Sequence, residues 1–252
     1  MSFAVPAEAY DLFMGVHSQQ LAPGLVDLAR LGPGERALDV GCGPGALTTE
    51  LVARLGAGSV AAIDPSESFV AAARARHPDV DVRRAAAEAL PYADGAFDAA
   101  LAQLVVHFMT DPVAGLREMA RVTRREGVIA ACVWDHAGER SPVAAFWRAA
   151  RELGLGTHDE SALAGAREGH LVELFEASGL RHVEDDVLVA RVEYLSFDDW
   201  WKPFAFGVGP AGARFLALSP QDRTRVRERC EALFPPAPFE LVSAAWAARG
   251  IV

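Results

Sequence analysis

The sequence predicts an α/β protein: a seven-stranded, mostly parallel sheet with helices on both faces, an N-terminal helical flap and a cap inserted between the last two strands. Three observations carry that prediction. Between residues 37 and 133, five short apolar runs alternate with segments of helical period, the pattern of successive right-handed strand–helix–strand crossovers. Two further extended runs, 187–194 and 240–248, flank a long interruption near the C-terminus. The 252 residues, 51% apolar and 23% charged, suffice for one sizeable core and argue against wholesale disorder.

The elements follow in order. Over residues 7–31, Leu21, Leu25, Leu28 and Leu31 recur at helical spacing, and Gly32-Pro33-Gly34 ends the segment. Ala37-Leu38-Asp39-Val40 reads as a short buried strand running into a glycine-rich turn. The next helix places Leu47, Leu51 and Leu55 at i, i+4 and i+8, with Gly56 as its stop. Residues 59–63 are the second strand. A helix from Ser66 turns Phe69, Val70 and Ala73 inward and ends at His77-Pro78. Residues 80–83 are the third strand and 97–105 the fourth, apolar along its length as a strand buried on both faces should be. Asp111-Pro112 supplies an N-cap and a proline at the first helical position, with Val113, Leu116 and Ala120 on one face. Residues 127–133 are the fifth strand, and 142–153 and 168–178 read as helices. The interruption at 196–238 holds Trp200, Trp201, Phe204, Phe206 and Phe215, a helix at 220–233 and the stiff run Pro235-Pro236-Ala237-Pro238. It is too short to bury a core of its own and reads as a cap. One domain over 1–252 is therefore expected, divided into flap (1–34), ligand-binding core (35–135) and cap (196–238).

Charge and cysteine usage exclude several classes. Lys and Arg number 24 against 34 Asp and Glu, a formal net charge of −10. This disfavours a nucleic-acid partner, whose nonspecific affinity comes from basic side chains displacing counterions. Three dispersed cysteines, Cys42, Cys132 and Cys230, suit a reducing compartment without a disulfide framework. No uncharged run is long enough to span a membrane, and Glu8 and Asp11 stand where a signal peptide would be apolar. A cytoplasmic protein with no membrane partner is expected, the number of subunits being left open.

The informative stretch is Leu38-Asp39-Val40-Gly41-Cys42-Gly43-Pro44-Gly45. Glycines at alternate positions after a buried strand let the backbone turn sharply and approach a ligand that any Cβ would push away. The turn opens into a helix N-terminus, where free N–H groups favour negative groups. Asp64 closes the second strand, where a carboxylate can accept hydrogen bonds from a ribose diol. Gly41, Gly43 and Ala46 also satisfy the dinucleotide pattern G-x-G-x-x-A, so a nicotinamide-dependent oxidoreductase stays open on the turn alone. Asp39 separates the two readings. A pyrophosphate gains nothing from a carboxylate two residues before the first glycine, whereas a ligand with an ammonium or sulfonium centre does.

Residues 38–48, 62–66 and 87–91, followed by Asp94-Gly95-Ala96-Phe97-Asp98, resemble in order and spacing the successive motifs of class I S-adenosylmethionine-dependent methyltransferases, Rossmann-like in fold. The likeness is greatest to the small-molecule branch of the ubiquinone/menaquinone-type C-methyltransferases, and Tyr10-Asp11-Leu12-Phe13-Met14-Gly15 is similar to an N-terminal signature of one bacterial subgroup. The resemblance is specific from residue 10 to 134 and loose beyond. It implies S-adenosylmethionine as cofactor. It also implies that Gly41, Cys42 and Gly43 meet the methionine part with Asp39 nearby, that Asp64 holds the ribose, and that Pro65, Ser66 and Phe69 line sugar and adenine. Ala87 would offer its N–H to the adenine; Ala102, Gln103 and Leu104 would meet the methionyl amino group; Tyr10, Met14 and Ser18 would close over the cofactor. Two departures stand out. Ala86 replaces a frequent aspartate, making Glu88 a substitute acceptor for the adenine amine, and Val16-His17 follow Gly15 where the subgroup continues with arginine.

Other residues read more plainly. Cys42 is a small buried residue rather than a nucleophile, since no histidine is fixed beside it. His107, just after the fourth strand on the ligand side of the sheet, is the candidate catalytic base or orienting group, and His136 after the fifth has a similar address. His77, His158, His170 and His182 read as surface or turn residues. Trp200, Trp201, Phe204 and Phe206 either glue the cap to the sheet or line an apolar pocket. Glu184-Asp185-Asp186 reads as a solvated strand entrance. No metal-ligand spacing or Ser-His-Asp order appears. The expected function is methyl transfer to a small organic acceptor, with carbon, oxygen and nitrogen acceptors and a non-catalytic cofactor binder of the same fold all still open.

Overall fold

The computed structural model describes residues 6–156 and 160–252. The chain enters through α1 (Ala7–Tyr10), one π-helical turn (Asp11–Gly15) and α2 (Val16–Ala29), which run on as a single helical segment. Arg30, in the left-handed conformation, ends it one residue before the expected Leu31. Then follow β1 (Ala37–Val40), α3 (Ala46–Leu55), β2 (Val60–Asp64), α4 (Glu67–Arg76), β3 (Asp81–Arg84), β4 (Phe97–Gln103), α5 (Pro112–Val122) and β5 (Thr123–Trp134). The remainder comprises α6 (Ala144–Glu152), α7 (His170–Ala177), β6 (Arg181–Tyr194), α8 (Phe197–Trp201), α9 (Gly209–Ala217), α10 (Pro220–Glu231) and β7 (Phe239–Ile251).

The sheet order is β3-β2-β1-β4-β5-β7-β6, parallel through the first five strands. β7 runs antiparallel between β5 and β6. Its chain order reverses between β1 and β4, the place where open α/β sheets form a crevice at the carboxyl ends of their strands.

Alternation along the strands sorts the core into two layers. Ala37, Ala62, Leu101 and Cys132 face α2, α3 and α4, whereas Leu38, Ile63, Ala100 and Ile129 face α5 and α7. The many strand alanines let these helices lie close. Asp39 falls on the α3 side and is fully buried there. At the start of α5 the Asp111 carboxylate accepts the Ala114 N–H at 3.0 Å, with Pro112 at the first helical position. Asp111→Ala is expected to cost about 1 kcal/mol in chemical denaturation.

Several boundaries differ from expectation. β4 ends at Gln103 instead of 105, because Leu104 turns to φ +61. β5 begins at Thr123, ahead of 127, and β6 at Arg181, six residues before 187. Glu184-Asp185-Asp186 therefore lie within a strand and not at its entrance. β6 is the sheet edge, where outward charges are tolerated and discourage edge pairing. Residues 196–238 do sit between β6 and β7, but they contain α8, α9 and α10 where one helix was expected. They share a third apolar cluster with α6 and the π turn, including Phe13, Phe146, Trp200, Trp201 and Phe204. Three of the four cap aromatics are thus glue, and Phe206 is exposed.

Candidate active site

The glycine turn is pinned from below. Gly41 and Cys42 both donate their N–H to the Ile63 carbonyl at 2.8 Å, and Gly45 donates to the Cys42 carbonyl at 2.9 Å. Gly43 donates to Asp64 Oδ2 at 2.9 Å, and Ser66 to Asp64 Oδ1 at 2.8 Å. The amides expected to meet the cofactor are therefore engaged within the protein. Asp64 ties the turn to the tip of β2, leaving its carboxylate lone pairs as the acceptors at that edge.

The two glycines do different work. A Cβ on Gly41 would lie 2.4 Å from Val105 Cγ2, so packing alone demands glycine there. A Cβ on Gly43, at φ +54, would meet no atom of the described residues within 4 Å and would stand in an open cleft. That cleft, about 870 Å³, is lined by Tyr10, Gly41, Gly43, Asp64, Pro65, Ser66, Phe69, Ala86, Ala87, Gln103 and Leu104. Its size is in the range of small-molecule sites. Sequence reasoning missed Glu67, Ser68, Arg84, Val105, Met109 and Thr110 on its wall. Glu88 also lines it, but its Oε1 accepts the Thr110 N–H at 2.7 Å.

Three expected residues stand behind the wall. Ser18 is buried and donates its hydroxyl to the Met14 carbonyl at 3.0 Å. Cys42 is buried, and burial beside Asp39 and Asp64 pushes its thiol well up, which suits a packing role. Asp39 accepts the Thr48 hydroxyl on Oδ2 at 2.6 Å, while its Oδ1 has no partner among the described residues. Burial, with the Asp64 charge adding to it, raises Asp39 to about 7 against the pull of Thr48. Burial also raises Asp64, its two backbone donors working the other way. Gln103 donates Nε2 to the Ser18 carbonyl at 3.0 Å and leaves Oε1 buried without a partner. Val16 stands in the place of the arginine, and His17 after it is turned away: its Nε2 lies 2.9 Å from the Tyr194 hydroxyl, and burial lowers it to about 4.

The turn under this cleft has spent its Gly41, Cys42 and Gly43 amides, while Asp64 and Gln103 bring oxygens to the wall. A diphosphate needs N–H groups that the turn has already used. A ligand with a positive centre and hydroxyls finds the carboxylate of Asp64, the unpaired Gln103 oxygen and the buried Asp39 behind them. The residues present fit S-adenosylmethionine.

A second, narrower recess of about 50 Å³ opens beyond Tyr10, Leu104 and Phe108, which wall both spaces. Met14 and His107 line it, together with Phe13, Trp134, His136, Val143, Glu160 and the cap turn 208–211. Leu104 holds a left-handed conformation between the two, a strained geometry for a branched side chain. The His107 ring lies against Phe108 with centroids 3.9 Å apart and planes tilted by 45°, and its Nδ1 has no partner among the described residues. Burial, with His136 next to it, depresses its basicity well below the ordinary value, leaving a neutral imidazole. His136 is 6.0 Å away, ring to ring. His77 and His170 hold local turns, near Thr49 and Gly165 respectively, and His182 is exposed. His158 lies outside the described residues. The cap reaches the recess through Val208–Ala211 and not through its tryptophans, and Glu160 carried no sequence signal.

Residues 38–131 match the family model described as a methyltransferase domain. The demethylmenaquinone methyltransferase of Mycobacterium sp. (strain KMS) is 44% identical over 104 residues, which cover 40% of this chain and 43% of that protein. The chain thus spans less than half the length of that curated relative. Among solved structures, a SAM-dependent methyltransferase from Thermotoga maritima superposes with TM-score 0.56 at 19% identity, over 97% of this chain and 95% of that one. The geranyl diphosphate C-methyltransferase of Streptomyces coelicolor A3(2), solved with S-adenosyl-L-homocysteine, gives 0.52 at 16% identity, over 92% and 78%. The matched stretch ends within β5, so the flap, Glu160 and the cap turn that wall the recess lie outside it. No helix among the described residues is long and apolar enough to cross a membrane, and none of their His, Cys, Asp and Glu side chains cluster as metal ligands do.

Proposed function

We propose that this chain transfers a methyl group from S-adenosylmethionine to a small organic acceptor by in-line displacement. The observation that carries the reading is the glycine turn under the main cleft: the amides of Gly41, Cys42 and Gly43 are spent inside the protein, while Gln103 Oε1 on the cleft wall and Asp39 Oδ1 behind it have no partner among the described residues. When bound, the cofactor supplies an electrophilic methyl on a sulfonium that is already a good leaving group. The protein's part is then alignment and exclusion of water. In this reading Asp64 holds the ribose, Pro65, Ser66 and Phe69 flank sugar and base, Ala86 and Ala87 border the adenine, and Gln103 and Leu104 meet the amino-acid end. Tyr10 closes over both spaces from the flap, its ring edge-on to Phe69 at 5.3 Å, and Met14 closes over the recess. His107 faces the acceptor as a neutral imidazole able to take up a proton. Three buried free thiols suit work in the reducing cytoplasm.

Calorimetry tests the cofactor assignment: S-adenosylmethionine and S-adenosylhomocysteine should bind and NAD should not, and the reverse result defeats the reading. Acceptor profiling with labelled cofactor then tests His107. His107→Asn is expected to leave cofactor affinity within about threefold and to lower methyl transfer about 10²- to 10⁴-fold if the acceptor must lose a proton.

A further inference from the structure

We infer that the outer edge of β6 is the contact surface for a second copy of this chain, the two β6 strands pairing antiparallel about a two-fold axis at Leu188 and joining both sheets into one.

β6 closes the sheet order and is paired on one side, by β7, from Arg181 to Tyr194. At 14 residues it is well beyond the usual strand length, and such an edge presents a row of amides and carbonyls that a further strand can bond. Edges are commonly blunted by proline, charge or a bulge. The run Val187-Leu188-Val189-Ala190 carries no proline and no charge, and the shift in register lies away from it, between Arg181 and Glu184. Leu188 and Ala190 turn toward α2 and are buried, whereas Val187 and Val189, on the opposite face, are 36% and 45% exposed.

A two-fold axis sets each residue opposite its mate at equal distance from the axis, and mates in a continuous sheet must share a face, so the centre falls on a single residue. Charge selects which one. Centred on Leu188, Val187 lies opposite Val189 of the second copy and Asp185 opposite its Arg191, each contact made twice and no like charges meeting. Centred on Asp186, that carboxylate would oppose itself; centred on Val189, Asp185 would oppose Glu193. Centred on Val187, Asp185 and Asp186 would stand against Val189 and Leu188, and centred on Ala190, Val187 would stand against Glu193. Only the Leu188 register satisfies both the valines and the charges. Its ionic partners are accessible. Asp185 is exposed and has no ion pair among the described residues, and Arg191 meets Glu240 through one nitrogen at 3.0 Å, leaving donors for a second carboxylate. The acidic run at 184–186 thus bars neighbouring registers while serving this one.

Sedimentation of the full chain over a concentration series tests the surface, and a reversible dimer is expected. Asp185→Arg and Arg191→Asp each set like charges opposite one another twice, and each alone should weaken the dimer at least about tenfold. Mixed in equal amounts, the two variants restore opposite charges at both positions, so a heterodimer within about threefold of native affinity should form. Val189→Lys puts a charge at the middle of the edge on an exposed position, and it should leave only monomer while circular dichroism and the melting curve stay native. Asp185→Arg, at a site with no internal ion pair, keeps the charge test independent of the Arg191–Glu240 contact. A native chain that stays monomeric, a Val189→Lys or Asp185→Arg dimer as tight as the native one, or a mixture no tighter than its components would each overturn the inference.

Discussion

Gly43→Val is expected to abolish S-adenosylmethionine binding while leaving a folded protein. The backbone there sits at φ +54, so any side chain costs about 1–3 kcal/mol of strain. Its Cβ would meet no described residue within 4 Å and would project into the cleft where the cofactor's methionine part would lie. The loss of affinity should exceed 100-fold, on the order of 3 kcal/mol or more, and calorimetry beside a denaturation curve separates it from the strain. Gly41→Ala is the control, since its Cβ collides with Val105 and should damage the fold as well as the site. A folded Gly43→Val protein of normal affinity would show that the turn does not cradle the ligand.

Asp39→Asn should raise the stability of the ligand-free protein increasingly as pH climbs from about 4 to about 7. In the folded chain burial holds Asp39 at about 7, whereas the unfolded side chain ionises near 4. Between these values the folded state keeps a proton that the unfolded state has released, so rising pH favours unfolding until the folded carboxyl also ionises. Roughly three pH units at about 1.4 kcal/mol each set an upper bound of about 4 kcal/mol. His17 and His107 act oppositely in part of the same window, because burial depresses both and the unfolded chain protonates them first as pH falls. The decisive quantity is therefore the difference between variant and native chain at each pH. Asparagine can still accept from Thr48, so packing is conserved. Cofactor binding should weaken in the same variant, as a cationic ligand favours the ionised carboxylate. A difference that stays flat between pH 4 and 8 would remove Asp39 from the electrostatics of the site.

The cofactor half was largely legible because its residues are contiguous. A strand, a side-chain-free turn and a helix leave a local pattern in 38–48, and Asp64 closes the next strand in register with β3. What no local pattern could reveal is how the turn spends its amides. That depends on the Ile63 carbonyl one strand away, and it converts a turn expected to present N–H groups into one presenting oxygens. The acceptor end was mostly hidden. His107 and His136 could be placed from their positions after β4 and β5, but Glu160 sits in a segment without periodicity and meets His136 only through tertiary packing. The cap tryptophans drew attention by size and turned out to bind cap to body, while the small residues of the 208–211 turn reach the recess.

The wall between the two spaces has an evolutionary consequence. Apart from Pro6 and Tyr10, the main-cleft side of Tyr10, Leu104 and Phe108 belongs to the stretch that the family model matches, and much of the other side is furnished by an N-terminal arm and an insertion. Mutation can thus retailor the guest while the donor's berth stays untouched, and such an architecture lends itself to diversification by exchange of its peripheral parts.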